Sequence, residues 1–350
     1  MKDAEPGPRI LLVGVGALGG VVAHELLLGG YDVTLFTHDQ DTARTLRISG
    51  LREVRTGRAV IPKVLQAVPV PGDHYDFVLL ATQPTAVEEV VPKLSRAIGS
   101  EGRFVCLQNG LCEERVAQYV PRNRVIGAVV AFGASAHGAG LCERTSTGGV
   151  VVGNLDGALD EMLERLVQVF SLLGPTRTTT NLAGIRWSKL AVNCAISTLG
   201  TIGGERLGVL LRLNSVRRLA LRIIGEAVDV ATALGVNLER LPGVPPLEWL
   251  ARGSNGQTMR GRLEIAARHG VALGIGTRYR WLRSSMLRAI ERGRTPAVDY
   301  LNGEVTSRGA ALGISTPVNA AAQRIVWSIA RGERPASVAT LEALAREVSD

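Results

Sequence analysis

The chain has 350 residues, of which 46% are hydrophobic and 21% are charged, and its formal net charge is +8 at pH 7. This balance excludes an intrinsically disordered protein, and the length allows two domains that each have a core. No apolar run reaches the roughly 18 residues that a membrane span needs, and the start, MKDAEPGPRI, has no apolar signal segment. We therefore expect a soluble cytoplasmic protein without a membrane partner.

Residues 9–36 predict a strand, a glycine-rich turn, a helix, a Gly-Gly stop and a second strand. The turn reads Gly14-Val15-Gly16-Ala17-Leu18-Gly19. A G-x-G-x-x-G motif in this context is typical of dinucleotide-binding folds, although a glycine-rich turn without a ligand is the alternative. Gly14 permits the tight turn, Gly16 lets the backbone approach a pyrophosphate, and Gly19 lets helix and strand pack closely. The helix N-terminus then faces the phosphates.

The end of the second strand bears on the choice between NAD and NADP. An acidic residue at the strand tip would bind the ribose hydroxyls of NAD and repel the 2′-phosphate of NADP. Here the strand ends at Phe36-Thr37-His38, Asp39 follows one step later, and Arg44 lies beyond. The missing carboxylate at the tip favours NADP.

Apolar runs at 77–81, 103–107 and 125–131 alternate with helical patterns near 85–98 and 112–118. This alternation predicts an α/β domain with a doubly wound parallel sheet, in which ligand-binding loops follow the strands. One such loop contains Gln83, and another contains Asn109 in a Gln-Asn-Gly sequence. Asn109 is a candidate contact to nicotinamide or substrate, although an Asn-Gly pair is commonly only a turn.

From about residue 180 the strand patterns end and helical patterns take over. Asn181 can cap a helix that runs to about residue 199, and LPGVPPL at 241–247 reads as a loop. Further helical patterns lie near 215–235, 257–269, 281–292, 298–312 and 317–331. We therefore expect two domains, a Rossmann-type domain over 1–180 and an all-helical domain over 181–350.

The stretch SKLAVNCAIS at 188–197 places Lys189, Asn193 and Ser197 four residues apart in an apolar helix. Positions four apart drift by only about 40° around a helix, so these side chains line one stripe. The stripe faces solvent or a site. The chain has 36 arginines and four lysines. Because an ammonium can give up a proton and a guanidinium essentially cannot, a lysine here suggests proton chemistry.

The segment 277–294 is dense in arginine but has no nucleic-acid fold signature, so we expect solvated charges or attraction of small anions, and no nucleic-acid partner. The four cysteines have neither paired nor metal-ligand spacing. We expect reduced thiols and no metal site. Residues alone leave a homodimer open.

Several of these stretches together resemble the ketopantoate reductase (2-dehydropantoate 2-reductase) family over roughly 9–331. The resemblance is carried by GVGALGG, LQNG at 107–110, WSKLAVNCAISTL at 187–199, SSML at 284–287, DYLNGEV at 299–305 and GISTPVN at 313–319. It implies NADPH-dependent reduction of a 2-oxo acid to a 2-hydroxy acid, in a cleft between a Rossmann domain and a helical domain. The family substrate is ketopantoate, on the route to pantothenate.

The resemblance also implies residue roles. The family's catalytic lysine falls on Lys189, and asparagines of its site fall on Asn193 and Asn109. The serine that contacts the substrate carboxylate falls on Ser285. Hydride transfer to a carbonyl builds negative charge on oxygen, which Lys189 would stabilise and then protonate. Desolvation lowers the pKa of a lysine from roughly 10.4 toward the working pH.

Four positions depart from the family pattern. A second asparagine of the helix is Ser197 here, a lysine near the cofactor is Gln83, and the arginine for the 2′-phosphate is His38. The fourth is Ala297, where the family has a glutamate that helps to hold the substrate.

The departure at Ala297 leaves three alternatives for the function. Asp299 or Glu304 could stand in for the missing carboxylate and keep ketopantoate as the substrate. The room at Ala297 could instead admit a bulkier or less polar keto compound or an imine. A catalytically idle dinucleotide sensor is the third alternative, but it would need none of Lys189, Asn193 and Ser285.

Overall fold

The computed structural model describes residues 7–69, 74–251, 259–278 and 280–348. Contacts divide the chain into two compact units. The first comprises the residues up to Gln108 together with Cys112–Leu182, and the second comprises Asn109–Leu111 together with the residues from Ala183 onward.

The first unit is built around an eight-stranded sheet in the order β12-β11-β8-β7-β6-β1-β2-β5. Its strands are β1 (Ile10–Val13), β2 (Val33–Phe36), β5 (Lys63–Leu65), β6 (Tyr75–Leu80), β7 (Ile98–Cys106), β8 (Val125–Val130), β11 (Val150–Asn154) and β12 (Thr176–Thr178). Every pairing is parallel except that of β8 with β11. Strands β1 and β2 are buried throughout, because helices cover both faces of a parallel sheet.

The helices of this unit are α1 (Ala17–Leu28), α2 (Gln40–Ser49), α3 (Val87–Leu94), α4 (Cys112–Val116) and α5 (Glu161–Phe170). The strand–turn–helix–strand prediction for 9–36 is confirmed. The helix predicted near 85–98 is shorter than expected. Helix α3 ends at Leu94, and β7 already begins at Ile98. Its first turn, Pro84–Ala86, is a 3-10 turn.

A second, four-stranded sheet has the order β4-β3-β10-β9, which the sequence analysis did not predict. Its strands are β3 (Leu51–Glu53), β4 (Ala59–Val60), β9 (Ala134–Gly138) and β10 (Leu141–Arg144). Helix α1 packs on this sheet so closely that a Cβ atom on Gly20 would lie 2.9 Å from Cβ of Cys142. These strands are too short to show an alternating pattern, so their pairing depends on contacts distant in sequence.

The second unit is helical. Its helices are α6 (Leu182–Gly203), α7 (Leu207–Leu210), α8 (Asn214–Ala233), α9 (Leu247–Ala251), α10 (Met259–Arg278), α11 (Ser285–Glu291), α12 (Asn302–Ala311), α13 (Pro317–Ala330) and α14 (Val338–Glu347). The predicted helices are present, but those predicted near 281–292 and 298–312 begin later, at Ser285 and, after a 3-10 turn, at Asn302. The short helices α7 and α9 and the terminal α14 were not predicted. Residues 257 and 258 of one predicted helix lie outside the described residues.

Helix α6 runs four residues beyond its predicted end at 199. Its glycines at 200 and 203 do not end the helix, because each lies where a neighbouring side chain packs closely. A Cβ atom on Gly200 would lie 3.3 Å from Cβ of Ser284, and one on Gly203 would lie 2.6 Å from Cδ2 of Leu210. The helix stops instead at Gly204, whose φ of +70° favours glycine. Helix α10 likewise continues through Gly270, where the pattern predicted an end.

None of the helices within the described residues is both long and apolar enough to cross a lipid bilayer. The four cysteines, all within the described residues, are buried.

Candidate active site

The glycine-rich turn between β1 and α1 has the geometry expected of a dinucleotide-binding loop. Gly14 has a φ of +95°, and a Cβ atom there would lie 2.8 Å from the backbone nitrogen of Thr82. A Cβ atom on Gly19 would clash with the carbonyl oxygen of Gly14. Both positions therefore require glycine, the first for the turn and the second for the close approach of helix and turn.

The N-terminus of α1 is open to an anion. Gly16 caps the helix without a side-chain hydrogen bond, and no acidic residue lies in the first turn. Gly16 is exposed, and a Cβ atom there would meet no protein atom within 4 Å. Val15, Ala17 and Leu18 are half-buried around it. Backbone N–H groups at such a terminus suit a pyrophosphate, so the residues present fit a dinucleotide.

At the end of β2, His38 is exposed and its ring packs edge-on against Phe36, with the ring centroids 4.8 Å apart. Asp39 caps α2 by accepting a hydrogen bond of 2.6 Å from the backbone N–H of Thr42. The carboxylate nearest the strand tip therefore serves the helix. At the end of β6, Gln83 is exposed and precedes the 3-10 turn.

The predicted catalytic and substrate-binding residues all belong to the second unit. Lys189, Asn193 and Ser197 are half-buried on α6, where most other positions are buried. The predicted stripe is thus the accessible face of the helix. Within the described residues, the side chains of Asn193 and Ser197 make no hydrogen bond, so both remain available to a ligand.

Three segments of the second unit converge on α6. The segment 109–111 contacts the turn before α12, because a Cβ atom on Gly110, where φ is +91°, would lie 2.6 Å from the carbonyl oxygen of Tyr300. Two residues later, Asn302 donates to the carbonyl oxygen of Cys194 on α6 at 3.4 Å. The start of α11 reaches α6 through Ser284, whose hydroxyl donates to the carbonyl oxygen of Ser197 at 3.0 Å.

The structure separates the roles of the two neighbouring serines at the start of α11. Ser284 is buried, caps the helix, and lies 2.8 Å from the hydroxyl of Thr201. Ser285 is the exposed first residue of the helix. Ser284 anchors the segment, whereas Ser285 and Asn109 are exposed.

Asn302 belongs to a buried polar network whose importance the sequence analysis missed. It accepts from Thr198 at 2.5 Å and donates to Oδ1 of Asn319 at 2.8 Å. Asn319 in turn donates to Glu226 at 2.7 Å. The network joins α6, α8, α12 and α13. The available signal was the position of Asn302 next to the apolar Leu301 and one turn before Val305, since buried amides are normally hydrogen-bonded.

Glu226 also accepts the backbone N–H groups of Val318 and Asn319, at 2.8 and 2.9 Å. This carboxylate therefore caps the start of α13. The DYLNGEV and GISTPVN motifs thus include residues that hold the helices together rather than contact a substrate.

Both acids that could replace the missing carboxylate at position 297 already have partners within the helical unit. Asp299 accepts from Gln323 at 2.7 Å and from the indole N–H of Trp327 at 2.9 Å. Glu304 is buried, and its carboxylate lies 3.1 Å from Nε of Arg308. Ala297 itself is half-buried. The hypothesis that either acid replaces the family glutamate therefore has no support in these contacts.

Two of the buried cysteines, Cys142 and Cys194, are not activated nucleophiles. Burial raises the pKa of the Cys194 thiol on α6, and burial raises the pKa of the Cys142 thiol to about 12. Both thiols remain protonated near neutral pH. Within the stripe, Lys189 is the residue with an ionisable side chain.

Comparison with known proteins agrees with this geometry. The model of the ketopantoate reductase PanE/ApbA family matches residues 10–157, and the model of its C-terminal domain matches residues 181–329. The chain belongs to the ketopantoate reductase family. It is therefore an oxidoreductase acting on CH–OH groups.

Two curated relatives illustrate how far the similarity extends. A 2-dehydropantoate 2-reductase of Pyrococcus abyssi is 24% identical over 93% of this chain and 97% of its own length. One from Archaeoglobus fulgidus is 26% identical over 93% and 98%.

Solved structures share the fold. A PanE/ApbA family ketopantoate reductase from Ralstonia eutropha JMP134 has a TM-score of 0.75 at 24% identity, covering 93% of this chain and 99% of its own. A D-mandelate dehydrogenase in complex with NADH has a TM-score of 0.76 at 20% identity with the same coverage. A dimeric ketopantoate reductase from Staphylococcus aureus has a TM-score of 0.69 at 17% identity, covering 93% and 100%.

Proposed function

We propose that this chain reduces a 2-oxo acid to the 2-hydroxy acid with NADPH, with ketopantoate to pantoate as the default reaction. The observation that carries the proposal is the stripe on α6. There, Lys189 lies in line with an amide and a hydroxyl that make no hydrogen bond within the described residues. If the stripe had only a structural role, we would expect the amide of Asn193 and the hydroxyl of Ser197 to have partners in the protein or to be fully exposed.

The first unit suits the cofactor. Its glycine turn and open helix N-terminus fit the pyrophosphate of a dinucleotide, and a reduced nicotinamide, when bound, supplies the hydride. The preference for NADPH rests on the absence of a carboxylate at the tip of β2, since Asp39 caps α2. His38 offers a weaker partner for the 2′-phosphate than an arginine, and Gln83 offers no charge at all.

Lys189 acts on the carbonyl oxygen. As hydride reaches the carbonyl carbon, negative charge builds on that oxygen, and the ammonium stabilises it and then donates its proton. Asn193, one turn further along α6, can orient the ammonium through its amide oxygen or hold the substrate. Asn109 is a second amide for the substrate or the nicotinamide.

The neutral donors hold the carboxylate of the substrate. Ser197 and Ser285 lie on segments that Ser284 joins by its hydrogen bond to the carbonyl oxygen of Ser197. Hydroxyl donors bind a carboxylate without adding charge beside Lys189, so the ammonium keeps its role at the carbonyl oxygen.

Two further assignments accompany the proposal. We place the reaction in the cytoplasm, in keeping with four buried thiols. We propose a homodimer, the state of the S. aureus relative, as the assembly to test by light scattering.

The test is NADPH oxidation by the full chain against a panel of 2-oxo acids that includes ketopantoate, with simple ketones and aldehydes as controls. We expect turnover with the 2-oxo acids and little with substrates that lack the carboxylate. A chain that binds NADPH but turns over no 2-oxo acid would overturn the proposal and favour the sensor alternative.

A further inference from the structure

A polar pocket of about 370 Å³ lies between α2 and the segment that follows β5. Its walls carry two guanidinium groups, two amides and one aliphatic side chain, which belong to Arg44, Arg47, Gln40, Gln66 and Ile48. No carboxylate is among these lining residues. Asp41, the acid in the first turn of α2, forms no ion pair with either arginine within the described residues. Guanidinium and amide donors of this kind suit a phosphate group.

The pocket begins at the tip of β2, the strand end that contacts the adenosine ribose in dinucleotide-binding folds. Thr37 at this tip donates its backbone N–H to the carbonyl oxygen of Leu65 at 3.1 Å, which places Gln66 beside the tip. Helix α2 begins at Gln40, close behind Thr37 in the chain. Arg44 lies about 6 Å further along the helix axis. Both walls of the pocket therefore start at the strand tip.

The two arginines of the pocket differ in their contacts. Arg47 donates to Oε1 of Gln66 at 2.7 Å and to the carbonyl oxygen of Val64 at 3.2 Å, so its guanidinium is held at the wall. Arg44 is exposed and makes no hydrogen bond or ion pair within the described residues. Residues three apart are neighbours on a helix surface. Arg44 can therefore close on an anion beside the fixed charge of Arg47.

The α3 side of the strand tip is less suited to a phosphate. Gln83 carries no charge. The cation on that side, Lys93, is paired with Glu89 at 2.8 Å. This hydrogen bond and the charge of Lys93 lower the pKa of Glu89, and the charge of His38 lowers it further. A phosphate beside His38 would therefore lie near a carboxylate that repels it.

We infer that Arg44, supported by Arg47, binds the 2′-phosphate of NADPH and so determines the cofactor preference of this enzyme. The inference rests on the proposed function and names the residue that selects its cofactor. The charge that an arginine at position 38 would supply comes from α2 instead. Because the 2′-phosphate takes no part in hydride transfer, Arg44 should affect cofactor affinity and leave kcat at saturating NADPH unchanged.

Fluorescence titration of the full chain with NADPH and with NADH tests this role. Arg44→Ala should raise the Kd for NADPH about ten- to a hundredfold and leave that for NADH within about twofold, because charge-assisted hydrogen bonds to the phosphate are lost. Arg44→Lys should lose less affinity, since an ammonium keeps the charge without the planar fork. Arg96→Ala is the matched control, because it removes an exposed arginine of the same unit outside the pocket. It should change neither Kd.

Calorimetry with adenosine 2′,5′-bisphosphate and AMP gives a second readout that needs neither nicotinamide nor turnover. The wild-type chain should bind the bisphosphate about tenfold or more tightly than AMP, because only the bisphosphate carries the 2′-phosphate. Arg44→Ala should remove most of this difference, and Arg96→Ala should keep it.

The outcomes separate this inference from the proposed function. An equal rise in Kd for NADPH and NADH in Arg44→Ala, or no rise, would overturn the inference. A larger loss of NADPH affinity in His38→Ala than in Arg44→Ala would also overturn it and place the phosphate at the strand tip. Tighter binding of NADH than of NADPH by the wild-type chain would overturn the NADPH assignment together with this inference. Failure to reduce any 2-oxo acid, with the effect of Arg44→Ala on NADPH binding intact, would overturn the proposed reaction alone.

Discussion

Replacing Asn302 by alanine should unfold the helical unit more readily without altering the chemistry. Asn302 is fully buried, and the change removes its bonds to Thr198 and Asn319. The Thr198 hydroxyl loses its acceptor and Oδ1 of Asn319 loses this donor, at positions that water does not reach. A buried polar group left unsatisfied costs about 1–3 kcal/mol, so the two together predict a loss of about 2–6 kcal/mol in the free energy of unfolding.

Urea unfolding, followed by circular dichroism at constant NADPH concentration, measures this loss. A double-mutant cycle with Thr198→Val isolates the bond between the two side chains, and we expect a coupling of about 0.5–3 kcal/mol. Thr232→Val is the matched control, because its hydroxyl bonds the carbonyl oxygen of Val228 on an exposed part of α8. It should change stability by less than about 0.5 kcal/mol.

Kinetics decides whether Asn302 is structural or catalytic. Well below the melting temperature, kcat of Asn302→Ala should remain within a few-fold of wild type. A loss of kcat of two orders of magnitude with unchanged stability would refute the reasoning and place Asn302 at the substrate.

Lys189→Ala should lower kcat by roughly two to four orders of magnitude, the span of a positioned proton donor, in stopped-flow assays with NADPH affinity unchanged. Lys189→Arg should also be poor, because guanidinium does not release its proton. His38→Arg should tighten NADPH binding about tenfold or more relative to NADH in fluorescence titrations, since it adds a charged donor for the 2′-phosphate. Ala297→Glu should raise kcat/KM for ketopantoate roughly ten- to a hundredfold and lower it for ketoisocaproate, because a buried carboxylate opposes an apolar group. Finally, the free energy of unfolding should fall above pH 9. Burial raises the pKa of the Cys142 thiol from 9.0 to about 12, so its stabilising contribution is complete below pH 9 and is lost as pH rises toward 12.

Each of these has a contrary result. Near-wild-type turnover of Lys189→Arg would mean that position 189 supplies charge alone, and an unchanged cofactor ratio in His38→Arg would place the 2′-phosphate elsewhere. An Ala297→Glu variant with unchanged specificity would remove position 297 from the pocket. For the thiols, Cys142→Ala should reduce the slope of the pH dependence and leave the part that the buried Cys194 contributes, and an unaltered slope would assign it to another group.

The sequence by itself determined the features that depend on local spacing. The glycine turn followed from Gly14, Gly16 and Gly19, because their roles come from backbone geometry within six residues. The stripe of Lys189, Asn193 and Ser197 followed from helical periodicity alone. The structure shows the expected backbone at these glycines and the expected common face for the three polar side chains. Both features depend on residues that lie close together in the chain.

Only the tertiary structure decided the features that depend on distant contacts. Helix α6 continues past Gly200 because Ser284, far along the chain, packs against that glycine. The four-stranded sheet forms from strands too short to be recognised singly. Asn302 acquires its role only where α6, α12 and α13 meet.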